Sequence, residues 1–156
     1  MQAEKIDYIL EKLRVLLRES YGVMDAQQEC CGLTYSQCHT LIEIGVKGEV
    51  SLVDLASSLG LDTSTLSRTI QAMVVSGLVI RTTNEKDRRY VRISLSKQGR
   101  KVYELIGRVY DDFMTRVFDL IPARKQEEVL ENIGLFADAV KQVNESGASG
   151  RKERKR

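Results

Sequence analysis

Three thiols and an imidazole crowd into a short stretch of this 156-residue chain: Cys30, Cys31, Cys38 and His39. Thiolates bind soft cations and react with oxidants, so these are candidate sensor thiols and a candidate trigonal site for a thiophilic metal or metalloid. The spacing is not that of a closed zinc site, which needs paired Cys or His elements, unless Glu29, Glu43 or a second subunit adds a ligand. A plainer alternative stands beside this one: Cys38 packs as a small apolar side chain and Cys30 and Cys31 occupy a loop. An odd number of cysteines suits reduced thiols better than a disulfide framework. No resident cofactor is called for, and catalysis is not expected. There is no glycine-rich phosphate loop, and the neighbouring Cys38 and His39 point about 100° apart on a helix.

A second group of side chains suits a different chemistry. Thr63, Ser64, Thr65, Ser67, Arg68 and Gln71 recur along one short segment. Short hydroxyls there can donate to phosphates, and Arg68 and Gln71 are long enough to read base edges. Just beyond them lie Arg81, Lys86, Asp87, Arg88, Arg89 and Arg92. A polar helix face is usually only a solvated face. A flexible basic loop beside it, suited to the narrow minor groove where the potential is most negative, points instead to duplex DNA.

These groups need elements to hold them. Ile6, Ile9, Leu10, Leu13, Leu16 and Leu17 repeat at steps of three and four, predicting a long amphipathic helix from about Glu4 to Met24 that ends before the Cys-Cys-Gly stretch. Thr34 and Gln37 form a capping box for a second helix, closed by Gly45 and Gly48. Ser51 with Asp54 starts a short helix ended by Gly60, and Asp62 caps the next, which runs to about Ser76 before Gly77. That unit is a helix-turn-helix. After Gly77 the period becomes two: Leu78 to Arg81 and Val91 to Leu95 read as a hairpin with a charged tip at 84–88. Ser96 caps a long helix, and Pro122 opens a last one carrying Val129, Ile133, Phe136, Val140 and Val143. Both have wide apolar stripes. Residues 146–156 are Gly/Ser-rich and then basic, and are expected to be disordered.

The net charge of +2 announces no partner, but its distribution does. Residues 62–101 hold 9 Lys/Arg against 3 Asp/Glu, whereas 1–61 and 102–150 each hold 5 against 9. A basic block between acidic helical segments fits a DNA-reading insert in a dimer scaffold. No apolar run approaches the ~20 residues needed to span a bilayer. The first residues lack a basic flank and apolar core, so a cytoplasmic protein with no membrane partner is expected.

The stretch from Leu52 to Leu59 (LVDLASSL), followed by LDTSTLSRTIQAMVVSGLVIRTTNEKDRRYVRISLSKQGRKV, resembles the helix-turn-helix, wing and following helix start of the multiple antibiotic resistance regulator (MarR) family. Asp87-Arg88-Arg89 and Leu95-Ser96-Lys97-Gln98-Gly99 carry it most strongly. The resemblance implies a mainly α fold with a small β-hairpin wing, a winged helix-turn-helix inserted in a helical dimerisation scaffold. It makes 1–145 a single domain, with 1–33 and 100–145 as dimerisation helices and 34–99 as the DNA-binding lobe. It also implies that Asp87 orients Arg89 and that Arg89 enters the minor groove. A sequence-specific transcriptional regulator follows, in the repressor role, with a protein-interaction module on the same scaffold as the alternative.

A homodimer is expected on physical grounds too, since two wide apolar stripes bury themselves best against a symmetric copy. Recognition helices about 34 Å apart would then read a pseudo-palindromic operator. Family members that bind small aromatic inducers do so between the dimer helices and the DNA-binding lobe, where Tyr21, Tyr35 and His39 are the candidate lining here. Peroxide-sensing members carry their cysteine earlier, near the start of the first helix, so the thiols here depart from that pattern.

Overall fold

The computed structural model describes residues 2–83 and 91–153, without the side chains of 21–30, Thr83, Glu145 and 147–153. Six helices and three strands follow one another: α1 (Gln2–Cys31), α2 (Tyr35–Lys47), β1 (Val50–Ser51), α3 (Leu52–Leu59), α4 (Thr63–Val75), β2 (Val79–Thr83), β3 (Val91–Leu95), α5 (Lys97–Asp119) and α6 (Ala123–Glu153). The chain divides into two compact units, 1–111 and 112–156, with the boundary inside α5.

The first unit is built around one apolar core. Leu41 and Ile44 of α2, Leu55 of α3, Leu66, Ile70 and Met73 of α4, Ile93 of β3 and Ile106 of α5 are all essentially inaccessible to solvent. Cys38 belongs to this core, and Cys31 packs against it. The strands form an antiparallel sheet in the order β1-β3-β2. In β3 the side chains alternate as the sequence period requires, with Ile93 and Leu95 buried and Arg92 exposed. Arg81 of β2 lies opposite Ile93, and Ser51 of β1 opposite Arg92.

Caps fix the helix boundaries. Thr34 and Gln37 make the expected reciprocal box at α2. Gly60 takes the left-handed conformation (φ 64°) that lets α3 stop and α4 begin two residues later. Gly77 (φ 73°) does the same after α4, allowing the Leu78 amide to reach back to the Met73 carbonyl at 2.9 Å. That turn is fastened to the start of α5. Ser96 Oγ donates to the Gly77 carbonyl (2.6 Å) and accepts from the Gly99 amide (2.9 Å), while the Ser96 amide donates to the Leu78 carbonyl (3.0 Å). Gly99 makes this joint possible, because a β-carbon there would overlap the Leu78 carbonyl.

In the second unit Gln126 Nε2 donates to the carbonyls of Phe118 (2.9 Å) and Ile121 (3.2 Å), closing the turn between α5 and α6. Along α6, Leu130, Ile133, Leu135, Phe136, Val140 and Val143 keep between 42% and 71% of their surface exposed. Along α1, Ile6, Ile9, Leu10, Leu16 and Leu17 keep between 41% and 63%.

Four expectations change. The first helix does not stop at Met24 but continues through Cys31, so Cys30 and Cys31 sit on helical backbone and not in a loop. Strand β1 is a third strand; two residues are too few to show a period in sequence. The strand expected at 78–81 is shifted to Val79–Thr83, with Leu78 held in the turn after α4. At the other end α6 runs on to Glu153, taking in most of the stretch expected to be disordered. Ser146 donates its hydroxyl to the Gln142 carbonyl one turn back at 2.9 Å, a local bond on the exposed helix surface.

Candidate nucleic-acid interface

The helix-turn-helix is α3 and α4, and α4 presents one clear polar face. Ser64, Ser67, Arg68, Gln71, Ala72 and Val75 line a common shallow groove, the spacing of a single helical face. Opposite them Leu66, Ile70 and Met73 anchor the helix in the core. Arg68 and Gln71 are exposed at the middle of the reading face. The sequence placed both correctly because the apolar residues that face the other way are unambiguous.

The start of α4 behaves differently from expectation. Asp62 accepts from the Thr65 amide (2.8 Å) and from the Thr65 hydroxyl (2.6 Å), and the Ser64 hydroxyl also donates to it. These bonds hold the Asp62 carboxyl well below the usual carboxylate range, so it is charged at any physiological pH. In the absence of DNA the hydroxyls of Ser64 and Thr65 thus donate to a carboxylate at the start of the helix. Thr65 also lies off the groove-lining face, while Thr63 is exposed beside the cap.

Exposed guanidinium groups stand beside this helix on the sheet. Arg81 and Arg92 line a second groove with Val91 and with Ser51, Leu52, Val53 and Asp54 at the start of α3. Ser51 Oγ accepts from the Asp54 amide at 3.1 Å and caps that helix. Arg81 is also tied to the reading face, its Nη1 donating to Gln71 Oε1 at 3.4 Å. Neither the Arg81–Gln71 contact nor the role of Arg92 at the α3 start was legible in sequence, since both depend on the strand register. Lys86, Asp87, Arg88 and Arg89 of the expected wing tip lie outside the described residues.

The candidate effector and thiol residues separate. His39 lines a groove of about 700 Å³ with Ile42 of α2 and with Tyr103, Glu104, Ile106, Gly107, Arg108, Tyr110 and Asp111 of α5. Among the described residues its buried Nε2 has no hydrogen-bond partner. Tyr35 does not line the groove but stacks on His39, ring centroids 4.4 Å apart and tilted by 44°. The side chain of Tyr21 lies outside the described residues. The aromatic wall of this groove is Tyr103 and Tyr110, one to two turns apart on α5, a pairing that the i, i+7 spacing could have suggested. Gly45 lets Tyr103 lie flat on α2, since a β-carbon there would overlap the ring.

Cys38 is buried, and that burial, helped by the nearby Cys31, pushes its thiol up to about 11. A thiol so shifted is protonated at neutral pH and is a poor nucleophile. Among the described residues no three His, Cys, Asp or Glu side chains are grouped to hold a metal ion. The side chain of Cys30 is not among them. Among the described residues, too, no helix is long and apolar enough to cross a membrane.

Comparison with known proteins agrees with this geometry. Residues 33–91, which include α2, β1, α3, α4 and β2, match the model of the MarR family. The transcriptional regulator SarZ of Staphylococcus saprophyticus is 28% identical over 104 residues, covering 64% of this chain and 69% of that protein. The fold is shared with Streptococcus pneumoniae FabT, solved in complex with DNA (TM-score 0.78, 18% identity, 88% of this chain and 98% of that one). It is shared equally with a MarR transcriptional regulator from Methanosarcina mazei (TM-score 0.75, 22% identity, 88% and 99%). The helix-turn-helix and the start of the wing sheet thus match the MarR family over residues 33–91, and the fold is that of the winged-helix structures above.

Proposed function

We propose that this protein is a cytoplasmic homodimeric repressor that reads a pseudo-palindromic duplex operator and lets it go when an effector binds. The observation that carries the reading is the exposed face of Ser67, Arg68 and Gln71 on α4, flanked by Arg81 and Arg92 on the sheet. Base-edge readers in the middle and guanidinium groups at the side are the division of labour that major-groove recognition uses. Arg89, oriented by Asp87, adds the minor-groove contact. That FabT, which shares this fold, was solved in complex with DNA supports the DNA-binding reading.

Dimerisation is supported by the apolar residues that α1 and α6 leave exposed, more than a lone soluble chain ordinarily tolerates. The effector site is the groove beside His39. Its Tyr103 and Tyr110 walls suit a planar aromatic molecule, and the unpartnered His39 Nε2 suits a phenol or carboxylic acid on it. Because α5 forms one wall and its first turn is fastened to the end of α4, a ligand that shifts α5 shifts the reading helix. The ligand acts only through its different affinity for the two arrangements. A soft metal or metalloid bound by Cys30, Cys31 and Cys38 is the second reading, favoured by the packing of Cys31 and Cys38 against one core.

The test is a mobility shift on duplex DNA from upstream of the protein's own coding region, repeated over a salt series and with salicylate or arsenite added separately. Binding that falls linearly in log–log salt, at roughly 0.9 per phosphate neutralised, supports the DNA reading. Release by salicylate alone assigns the groove, and release by arsenite alone assigns the thiols. No duplex bound at any salt would leave the winged helix as a protein-interaction module.

A further inference from the structure

Gln71 stands on the reading face of α4, but it is not alone there. Arg81 reaches across from β2, ten residues further along the chain, and donates from Nη1 to Gln71 Oε1 at 3.4 Å. Both side chains are exposed, so neither is forced into this contact by burial. The strand register explains it: Arg81 sits opposite Ile93, whose side chain fills the core, and β2 runs on directly from the turn that ends α4.

A glutamine amide has two faces, a carbonyl that accepts and an NH₂ that donates. Its usual bidentate contact is with adenine and needs both, accepting from N6 and donating to N7. An arginine on the carbonyl occupies the acceptor face and leaves the donor face outward. We propose that Arg81 is a specificity-determining residue that turns Gln71 into a donor-only reader. Gln71 then favours base edges that accept, guanine O6 and N7 or thymine O4, over adenine. The bond is long, so Arg81 biases the amide and does not lock it. A bias worth one ordinary hydrogen bond corresponds to a preference of roughly 2- to 10-fold. The guanidinium has further donors that can meet the same guanine or the adjacent phosphate, which strengthens the same choice.

This inference rests on the DNA-binding reading, and one experiment separates the two. The full-length protein selects bound sequences from a duplex pool with a randomised half-site, at fixed salt, as wild type, Gln71→Ala and Arg81→Met. The position whose preference vanishes in Gln71→Ala is the base pair that Gln71 reads. Guanine or thymine is expected there in the wild type, and Arg81→Met should raise adenine by roughly 2- to 10-fold. Loss of a mere phosphate contact would lower all affinities together and leave that ratio unmoved. Adenine already preferred by the wild type, a ratio unchanged in Arg81→Met, or no position altered by Gln71→Ala would each overturn the proposal while DNA binding stands. A wild type that enriches no sequence would overturn both. Arg81 is exposed on β2, and equal melting temperatures for wild type and Arg81→Met confirm an intact fold.

Discussion

Gly99→Ala should unfold the joint that fastens the reading helix to α5. A β-carbon at Gly99 would stand 3.0 Å from the Leu78 carbonyl carbon and inside contact distance of its oxygen. Backbone and not a pliable side chain is in the way, so α5 and the α4 turn must move apart. Overpacking of this kind costs about 1–3 kcal/mol. The movement also stretches the bonds from the Ser96 amide to Leu78 (3.0 Å) and from Ser96 Oγ to Gly77 (2.6 Å). Each is worth about 1 kcal/mol when lost. Alanine's better helix propensity returns at most about 1 kcal/mol. The net loss is about 2–4 kcal/mol, which for a chain of this size lowers the melting temperature by about 4–16 °C. Gly107→Ala is the matched control: it lies in the same helix with nothing near its missing β-carbon, so it should gain up to about 1 kcal/mol and melt slightly higher. Thermal unfolding followed by circular dichroism at one fixed protein concentration reads both, since the midpoint of any self-associating protein depends on concentration. Gly99→Ala melting at or above wild type would refute the joint.

Other outcomes test other parts. Arg89→Ala should weaken operator binding in a mobility shift while leaving the oligomer intact on size exclusion, and Asp87→Ala should do so less; unchanged affinity in both removes the wing from recognition. Asp62, held below its ordinary value by the Thr65 and Ser64 bonds, stabilises the fold above the free carboxylate value near ~3.9 and loses that effect as pH falls below it. The melting temperature of wild type should therefore drop more steeply than that of Asp62→Asn between roughly pH 5 and pH 2.5. Cys38 runs the opposite way: with its thiol pushed up from 9.0 to about 11, its contribution is full below the free value and lost as pH climbs between the two. Cys38→Ala should flatten that alkaline limb, and a limb as steep as wild type would show that the thiol does not titrate there. A Cys30, Cys31 and Cys38 triple serine variant should still bind DNA but ignore arsenite if the thiols sense; unaltered release would return them to packing.

What the sequence made legible was whatever a period or a cap encodes. Asp62, Ser51 and Thr34 announce their helices because each side chain satisfies orphan amides that begin there, and the structure places every one as an N-cap. The face of α4 followed from its apolar residues. Two kinds of feature were hidden. One is structure without a long enough signal, such as β1, whose two residues gain their place only by pairing with β3. The other is any contact set by tertiary register: Arg81 on Gln71, Asp62 claiming the Ser64 and Thr65 hydroxyls, and Tyr103 and Tyr110 facing His39 across two helices. Sequence reasoning put Ser64 and Thr65 on the right helix but did not show that their hydroxyls bond to the Asp62 carboxylate.

These hidden contacts connect sensing to reading. Tyr103 can lie against α2 only because Gly45 has no side chain, so the groove beside His39 is closed on one side by a ring with little room to spare. A ligand entering beside that ring must displace it or move α5. The first turn of α5 is bonded through Ser96 to the Gly77 turn, and that turn terminates α4. Close-packed elements joined by backbone hydrogen bonds pass on a displacement better than they absorb it. Arg81, four residues beyond Gly77 on β2, donates to Gln71. A displacement that begins at Tyr103 would therefore reach the outward face of α4 by two routes, the axis of α4 and the orientation of its glutamine. In the proposed dimer the first would alter how two half-sites are spaced, and under the proposed role of Arg81 the second would alter which base is preferred within each.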